Sequence, residues 1–149
     1  MTYNVNRLYQ GPYHPVNREK YVGNINKIVF RSSLELRFMR WCDLSEKVRR
    51  WGSEEIIIPY FSPADNQVHR YFVDFFVEVR LPDGKTKKFL VEVKPDKYTK
   101  PPVPKKRKTP RYLSEVVQWG VNNAKWDAAR LFAKKMGAEF LLITEKDMN

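Results

Sequence analysis

Tyr71-Phe72-Val73-Asp74-Phe75-Phe76-Val77-Glu78-Val79-Arg80 and, after a short Pro/Gly turn, Lys87-Lys88-Phe89-Leu90-Val91-Glu92-Val93-Lys94 decide how this chain is read. The first stretch predicts one strand from Arg70 to Arg80, with Tyr71, Val73, Phe75, Val77 and Val79 recurring at the strand period, and the second predicts another from about Lys87 to Lys94. Between them, Leu81-Pro82-Asp83-Gly84-Lys85 puts a glycine where a three-residue loop, a type I turn with a G1 bulge, needs a left-handed residue. With the loop centred on Asp83, Asp74 faces Glu92, Phe76 faces Leu90 and Glu78 faces Lys88. Two carboxylates therefore meet on one face, inside an apolar run. Like charges opposite one another destabilise a hairpin, and an uncompensated buried carboxylate is costly or stays protonated. A cation between Asp74 and Glu92 resolves both problems. Lys94 lies two residues past Glu92 on the same face, where an ammonium can orient an attacking water or steady a phosphate.

Upstream, Leu34, Phe38 and Trp41 recur at helical spacing, predicting a helix from about Ser33 to Leu44 with Ser32 as N-cap and Arg37, Arg40 and Asp43 outside the apolar sector. Glu35 has two readings. Ser32-Ser33-Leu34-Glu35 matches a capping box, in which the glutamate folds back on its own helix start. The helical wheel also puts Glu35 between Cys42 and Met39, facing inward, where it could reach a metal on the sheet. Glu55-Ile56-Ile57-Ile58-Pro59-Tyr60 predicts a short strand. Residues 1–20, rich in Tyr, Asn and Pro, predict an extended arm, and residues 21–149 a single domain.

Downstream, Pro95 to Arg111 is a proline-rich basic loop, with Lys97, Lys100, Lys105, Lys106, Arg107, Lys108 and Arg111 as candidate phosphate contacts or as a solvated mobile loop. Thr109-Pro110 supplies an N-cap and an N1 proline for a helix toward Trp119, interrupted near Gly120 and resuming from about Asn122 to Met136, with Gly137 at C′. Ala138 to Thr144 predicts a closing buried strand. Helix, three strands, helix, strand defines an α/β fold with a mixed central sheet.

The chain has 149 residues, enough for one domain with a real core, and a single cysteine, Cys42, which excludes an internal disulfide and a cysteine metal cluster. Met1-Thr2-Tyr3-Asn4 lacks a signal-peptide profile, and no apolar run approaches membrane-spanning length. Against 17 Asp and Glu stand 28 Lys and Arg, a formal net charge of +11. Without a basic amphipathic helix to suggest a membrane surface, that charge points to nucleic acid.

Hydrolysing a phosphodiester requires charge neutralisation on the phosphate, an activated water and help for the departing oxygen, which a divalent metal on carboxylates supplies. Mg2+ or Mn2+ takes oxygen ligands, so Asp74 and Glu92, with Glu35, are the candidate ligands. Singly, each acid has a bland explanation: Glu92 and Lys94 as a solvated strand face, Asp74 paired with Arg70. The joint pattern is far more specific. Trp119, Trp126, Phe132 and Met136 read as core rather than a base-stacking platform, and His14 and His69 are isolated. Glu54 and Glu55 read as a solvated strand entrance or an additional ligand.

Asp74 followed by Glu92-Val93-Lys94 and preceded by the helix acid Glu35 resembles the PD-(D/E)xK nuclease superfamily, with Val73 replacing the usual proline. The resemblance implies a restriction-endonuclease-like core, Asp74 and Glu92 as metal ligands, Lys94 as catalytic lysine and Glu35 as helix acid. Phe30-Arg31-Ser32-Ser33-Leu34-Glu35, Trp51-Gly52-Ser53-Glu54-Glu55, Tyr71-Phe72-Val73-Asp74-Phe75 and Val91-Glu92-Val93-Lys94-Pro95 also resemble head completion proteins of large tailed bacteriophages, which are similar to the nuclease subunit of a cut-and-paste transposase. That resemblance implies DNA as substrate, phage head or portal proteins as partners, and action after packaging and before tail joining, in the host cytoplasm and then the virion. A homodimer or a partner subunit is compatible with it. Two rivals are a structural head protein with an idle nuclease site and a junction-specific resolvase.

Overall fold

The central hairpin forms with the register read from its loop. In the computed structural model, which describes residues 10–148, β6 (Phe75–Arg80) and β7 (Thr86–Val93) pair antiparallel, with Phe76 opposite Leu90 and Glu78 opposite Lys88. The loop is closed by Leu81 N–H to Lys85 O at 2.7 Å and Gly84 N–H to Leu81 O at 2.9 Å, and Gly84 has φ +85°. Gly84 thus takes the left-handed position that other residues adopt only at a cost.

Two strands flank the hairpin to complete a four-stranded sheet. β3 (Val48–Ser53) runs antiparallel to β6, and β8 (Ala138–Ile143) runs parallel to β7, giving the order β3-β6-β7-β8 and the expected mixed sheet. The first helix, α1 (Ser33–Leu44), covers one face: Phe38, Met39 and Cys42 pack with Trp51, Phe75, Val77, Val91 and Val93. A second helix, α2 (Pro110–Lys135), covers the other, where Ala129 and Ala133 pack with Leu90, Val73, Tyr71 and Ile58. The result is an α/β/α sandwich of the restriction-endonuclease-like kind.

The structure corrects several sequence expectations. The strand read as Arg70–Arg80 is two strands, β5 (Gln67–Phe72) and β6, separated by Val73 and Asp74. Tyr71 and Val73 face α2 whereas Phe75 and Val77 face α1, so the side-chain alternation switches face at the break. The Ile-rich strand is β4 (Ile57–Ser62); it pairs only with β5, as a two-stranded arm leaving the main sheet. The third member of the core antiparallel set is instead β3, which has no counterpart among the strands expected from sequence. Trp41 is exposed, and the buried stripe of α1 runs through Phe38, Met39 and Cys42. Asp43, placed among the solvent-facing residues, is fully buried. It accepts hydrogen bonds from Tyr13 Oη at 2.7 Å, Val16 N at 2.8 Å and Asn17 N at 2.9 Å. The described part of the N-terminal segment thus lies on the domain, and β1 (Gly11–Pro12) pairs with β2 (Val29–Phe30); residues 1–9 of the expected arm lie outside the described residues. Finally, α2 is continuous through Gly120 and ends at Lys135, with Met136 as C-cap and Gly137 following at φ +73°. No helix among the described residues is long and apolar enough to cross a membrane.

Candidate active site

Asp74 sits in the break before β6 and Glu92 near the end of β7, so the hairpin register sets their backbones side by side. Their side chains have different holds. Asp74 Oδ2 accepts a hydrogen bond from Val93 N at 2.9 Å. Glu92, only 8% exposed, faces α2, where the indole N–H of Trp126 donates to its Oε2. Lys94, next on the same face, brings its Nζ to 3.8 Å from Glu92 Oε1 and to 5.9 Å from the Trp126 ring centre. The Tyr71 hydroxyl is buried without a hydrogen-bond partner, and burial first, then the carboxylates of Glu92 and Asp74, hold its proton on.

Glu35 arrives from the start of α1, and both of its sequence readings find an echo. Ser32 Oγ accepts the Glu35 N–H at 3.1 Å, as an N-cap should. The Glu35 carboxylate folds back to take a backbone N–H, but that of Arg31 at 3.0 Å, one residue before the cap. Its carboxyl is nonetheless partly buried and feels the other acids: burial pushes it up, the Arg31 N–H opposes this, and Glu54 and Glu92 add to the rise.

The acids converge electrostatically on Asp74. Burial first, then Glu92 and Glu35, push the Asp74 carboxyl well above the usual carboxylate range, against a weaker pull from the Val93 N–H and Lys94. Glu54 completes the wall. It occupies a left-handed backbone conformation, φ +55°, with its N–H on Asp74 O at 3.0 Å and its carboxylate held by Arg31 Nε at 2.9 Å. Arg70, the alternative partner considered for Asp74, stacks instead over Phe72 at 5.4 Å.

Among the described residues, no three His, Cys, Asp or Glu side chains are gathered closely enough to make a ready-made metal cage. The donor chemistry still fits a hard divalent cation. All the donors are carboxylate oxygens, the half-buried Asp74 is destabilised as an anion, and Mg2+ needs only one or two protein carboxylates beside water and phosphate.

The basic loop lies beyond Lys94. Lys100 pairs with Asp96 at 3.3 Å and Arg111 with Glu115 at 3.3 Å, while Lys97 lies over the Tyr98 ring and Lys108 over that of Tyr112. Lys105, Lys106 and Arg107 are exposed, with no acidic partner among the described residues. The four central residues lie on neighbouring elements, as expected from sequence, but Trp126, Tyr71 and Arg31 had no expected role there. Trp126 carried a signal, an indole on the helix following Glu-x-Lys, yet helical spacing alone reads such a residue as core.

Carboxylates and a lysine gathered where the central hairpin of an α/β/α sandwich meets its first helix are the arrangement of restriction-endonuclease-like nucleases. Residues 45–145, which include Asp74, Glu92 and Lys94, match the family described as TnsA-like endonuclease N terminal. Over 141 residues, 92% of this chain and 91% of the relative, the sequence is 38% identical to the head completion nuclease of Enterobacteria phage T4. The chain belongs to the TnsA-like endonuclease family.

Proposed function

We propose that this protein is a divalent-metal-dependent DNA endonuclease that acts in the completion of a phage head, hydrolysing phosphodiesters of packaged DNA before the tail is joined. The observation that carries the reading is the grouping of Asp74, at the strand break beside β6, with Glu92 on the neighbouring strand and Lys94 3.8 Å from the Glu92 carboxylate. The head-completion role rests on the T4 relative, and the partners it suggests are head or portal proteins. Residues 95–111 form a DNA-facing loop, in which Lys97, Lys100, Lys105, Lys106, Arg107, Lys108 and Arg111 hold backbone phosphates.

Asp74 and Glu92, with Glu35, would hold Mg2+ or Mn2+. Bound there, the metal supplies positive charge at the phosphate oxygens and acidity to water. The chain's own groups do the positioning. Trp126 fixes the Glu92 carboxylate through its indole N–H, and the Val93 N–H fixes that of Asp74. Lys94, tethered between Glu92 and the Trp126 face, presents its ammonium to the attacking water or to a non-bridging phosphate oxygen. Arg31 orders the rim by holding both Glu35 and Glu54.

Supercoiled plasmid incubated with purified protein and Mg2+ or Mn2+ should be nicked or linearised, and Asp74→Ala and Lys94→Ala should each abolish this. Equal cutting by all three proteins would dismiss the assignment. A structural plug would bind DNA and cut nothing, and a resolvase would cut four-way junctions in preference to plasmid.

A further inference from the structure

Beside the site, between the loop after β7 and the N-terminal half of α2, lies a cleft of about 280 Å3. Its walls carry two aromatic rings, those of Tyr98 and Trp119, and its rim carries Lys97, Lys100 and Arg111 against one acid, Glu115. Tyr98 is half exposed, with Lys97 Nζ 4.8 Å over its ring. The ion pairs that Lys100 and Arg111 make are exposed, of the kind that contribute little and yield readily to a phosphate.

Along α2 the cleft is lined by two amides, the exposed Gln118 and the buried Asn122. Gln118 Nε2 donates to Asn122 Oδ1 at 2.9 Å, and Asn122 is buried. The Gln118 amide oxygen and the Asn122 amide nitrogen have no hydrogen-bond partner among the described residues. One acceptor and one donor are what the edge of a nucleobase can satisfy.

The cleft is also coupled to the cutting site. Trp119 packs edge-to-face on Trp126, 5.8 Å between ring centres, and Trp126 in turn holds Glu92 and underlies Lys94. A ligand on Trp119 is therefore one aromatic layer from the carboxylates.

We propose that this cleft takes one unpaired nucleotide of the DNA strand being cut, with its base against Tyr98 and Trp119 and its phosphate on Lys97 and Arg111. The substrate is then DNA with a single-stranded or frayed segment beside the scissile bond, in preference to continuous duplex. A base still paired in a helix cannot present its faces to two protein rings, whereas an unpaired base stacks on them whatever its identity. The inference rests on the endonuclease reading and specifies the substrate of that same site.

The test separates the two. A blunt duplex and the same duplex carrying a short unpaired tail with 2-aminopurine next to the junction are titrated with the full-length protein in EDTA, where no cutting occurs. Tight binding of the tailed probe, about tenfold over blunt, with quenching of the 2-aminopurine emission, is the expected result. Tyr98→Ala and Trp119→Phe should lower that preference and the quenching, Tyr98→Ala more severely. Equal binding of both probes by the wild-type protein, or quenching that survives in Tyr98→Ala, overturns the proposal. If the tail is bound and quenched but neither probe is cut when Mg2+ is restored, the cleft stands and the endonuclease reading falls. If both probes are cut equally without quenching, the reverse holds.

Discussion

Replacing Asp74 with asparagine should make the metal-free protein more stable while removing its response to metal. The substitution keeps an oxygen to accept the Val93 N–H and changes the charge alone. In the folded protein the carboxyl is raised by burial and by Glu92 and Glu35. A carboxyl raised above its unfolded value binds its proton more tightly when folded, so stability falls as pH climbs from the unfolded value toward the folded one. At pH 7.5, above the unfolded value, the wild-type carboxyl is therefore a cost. Cross-strand neighbours lie about 5 Å apart, and one like-charge pair at an effective dielectric of about 20 is worth roughly 3 kcal/mol before relaxation. Relaxation and the pull of Lys94 bring the expected gain to about 1–3 kcal/mol. In a chain of this size 1 kcal/mol moves Tm by about 2–4 °C. Thermal melts in EDTA should thus place Asp74→Asn roughly 2–12 °C above wild type. Adding Mg2+ or Mn2+ at about a hundred times its Kd stabilises the wild-type protein by about 2.7 kcal/mol, and the variant should lose most of that shift. A variant that melts below wild type in EDTA, or that keeps the full metal-dependent shift, would refute the electrostatic account of the site.

The remaining expectations concern the supports of the site and the approach of DNA. Trp126→Phe keeps the ring and removes the indole N–H from Glu92, so the metal concentration for half-maximal cleavage should rise about 10–100-fold in a Mg2+ or Mn2+ titration. Burial works to raise the Glu78 carboxyl, but the Arg50 hydrogen bond at 2.7 Å and the charges of Arg50 and Arg49 hold it below the usual range. Its stabilisation is therefore present above the ordinary glutamate value of about 4.3 and is lost as pH falls through the lower folded value. Glu78→Gln should lower urea stability by about 1.5–3 kcal/mol at pH 7, with the gap closing in acid melts. Replacing Lys105, Lys106, Arg107 and Lys108 together by alanine should flatten the log Kd against log salt plot for duplex DNA by up to about 3–4, roughly 0.9 for each phosphate no longer neutralised. An unchanged slope would take this run off the DNA.

What the sequence shows well is what short-range chemistry controls. Gly84 in its loop fixes the β6–β7 register, Ser32 starts α1 and Gly137 ends α2, because each depends on a few adjacent residues. Longer-range packing overrules such signals elsewhere. Gly120 costs a helix only about 1 kcal/mol, which the rest of α2 outweighs. β3 escapes notice because Arg49 and Arg50 occupy it beside a register shift, and their reason for being there, Glu78, lies 28 and 29 residues away. Asp43 looks solvent-facing until the Tyr13 to Asn17 segment covers it.

The break at Val73-Asp74 is the feature least visible in the sequence and the one on which the site depends. An unbroken strand would turn Val73 and Phe75 to the same face, whereas they pack on opposite sides of the sheet. The switch is bridged by Glu54, whose N–H holds Asp74 O from a left-handed conformation unfavourable for a non-glycine residue. Glu54 is in turn anchored by Arg31, which also caps Glu35. One arginine thus connects the strained residue, the break and the helix acid. A fold selected for stability alone has no use for a strained glutamate beside a half-buried aspartate that other carboxylates repel. Unfavourable backbone and unfavourable charge coincide at one end of one hairpin, within the stretch that matches the endonuclease family. The cost is intelligible under the proposed function, in which Asp74 and its acidic neighbours would share the charge of a divalent cation.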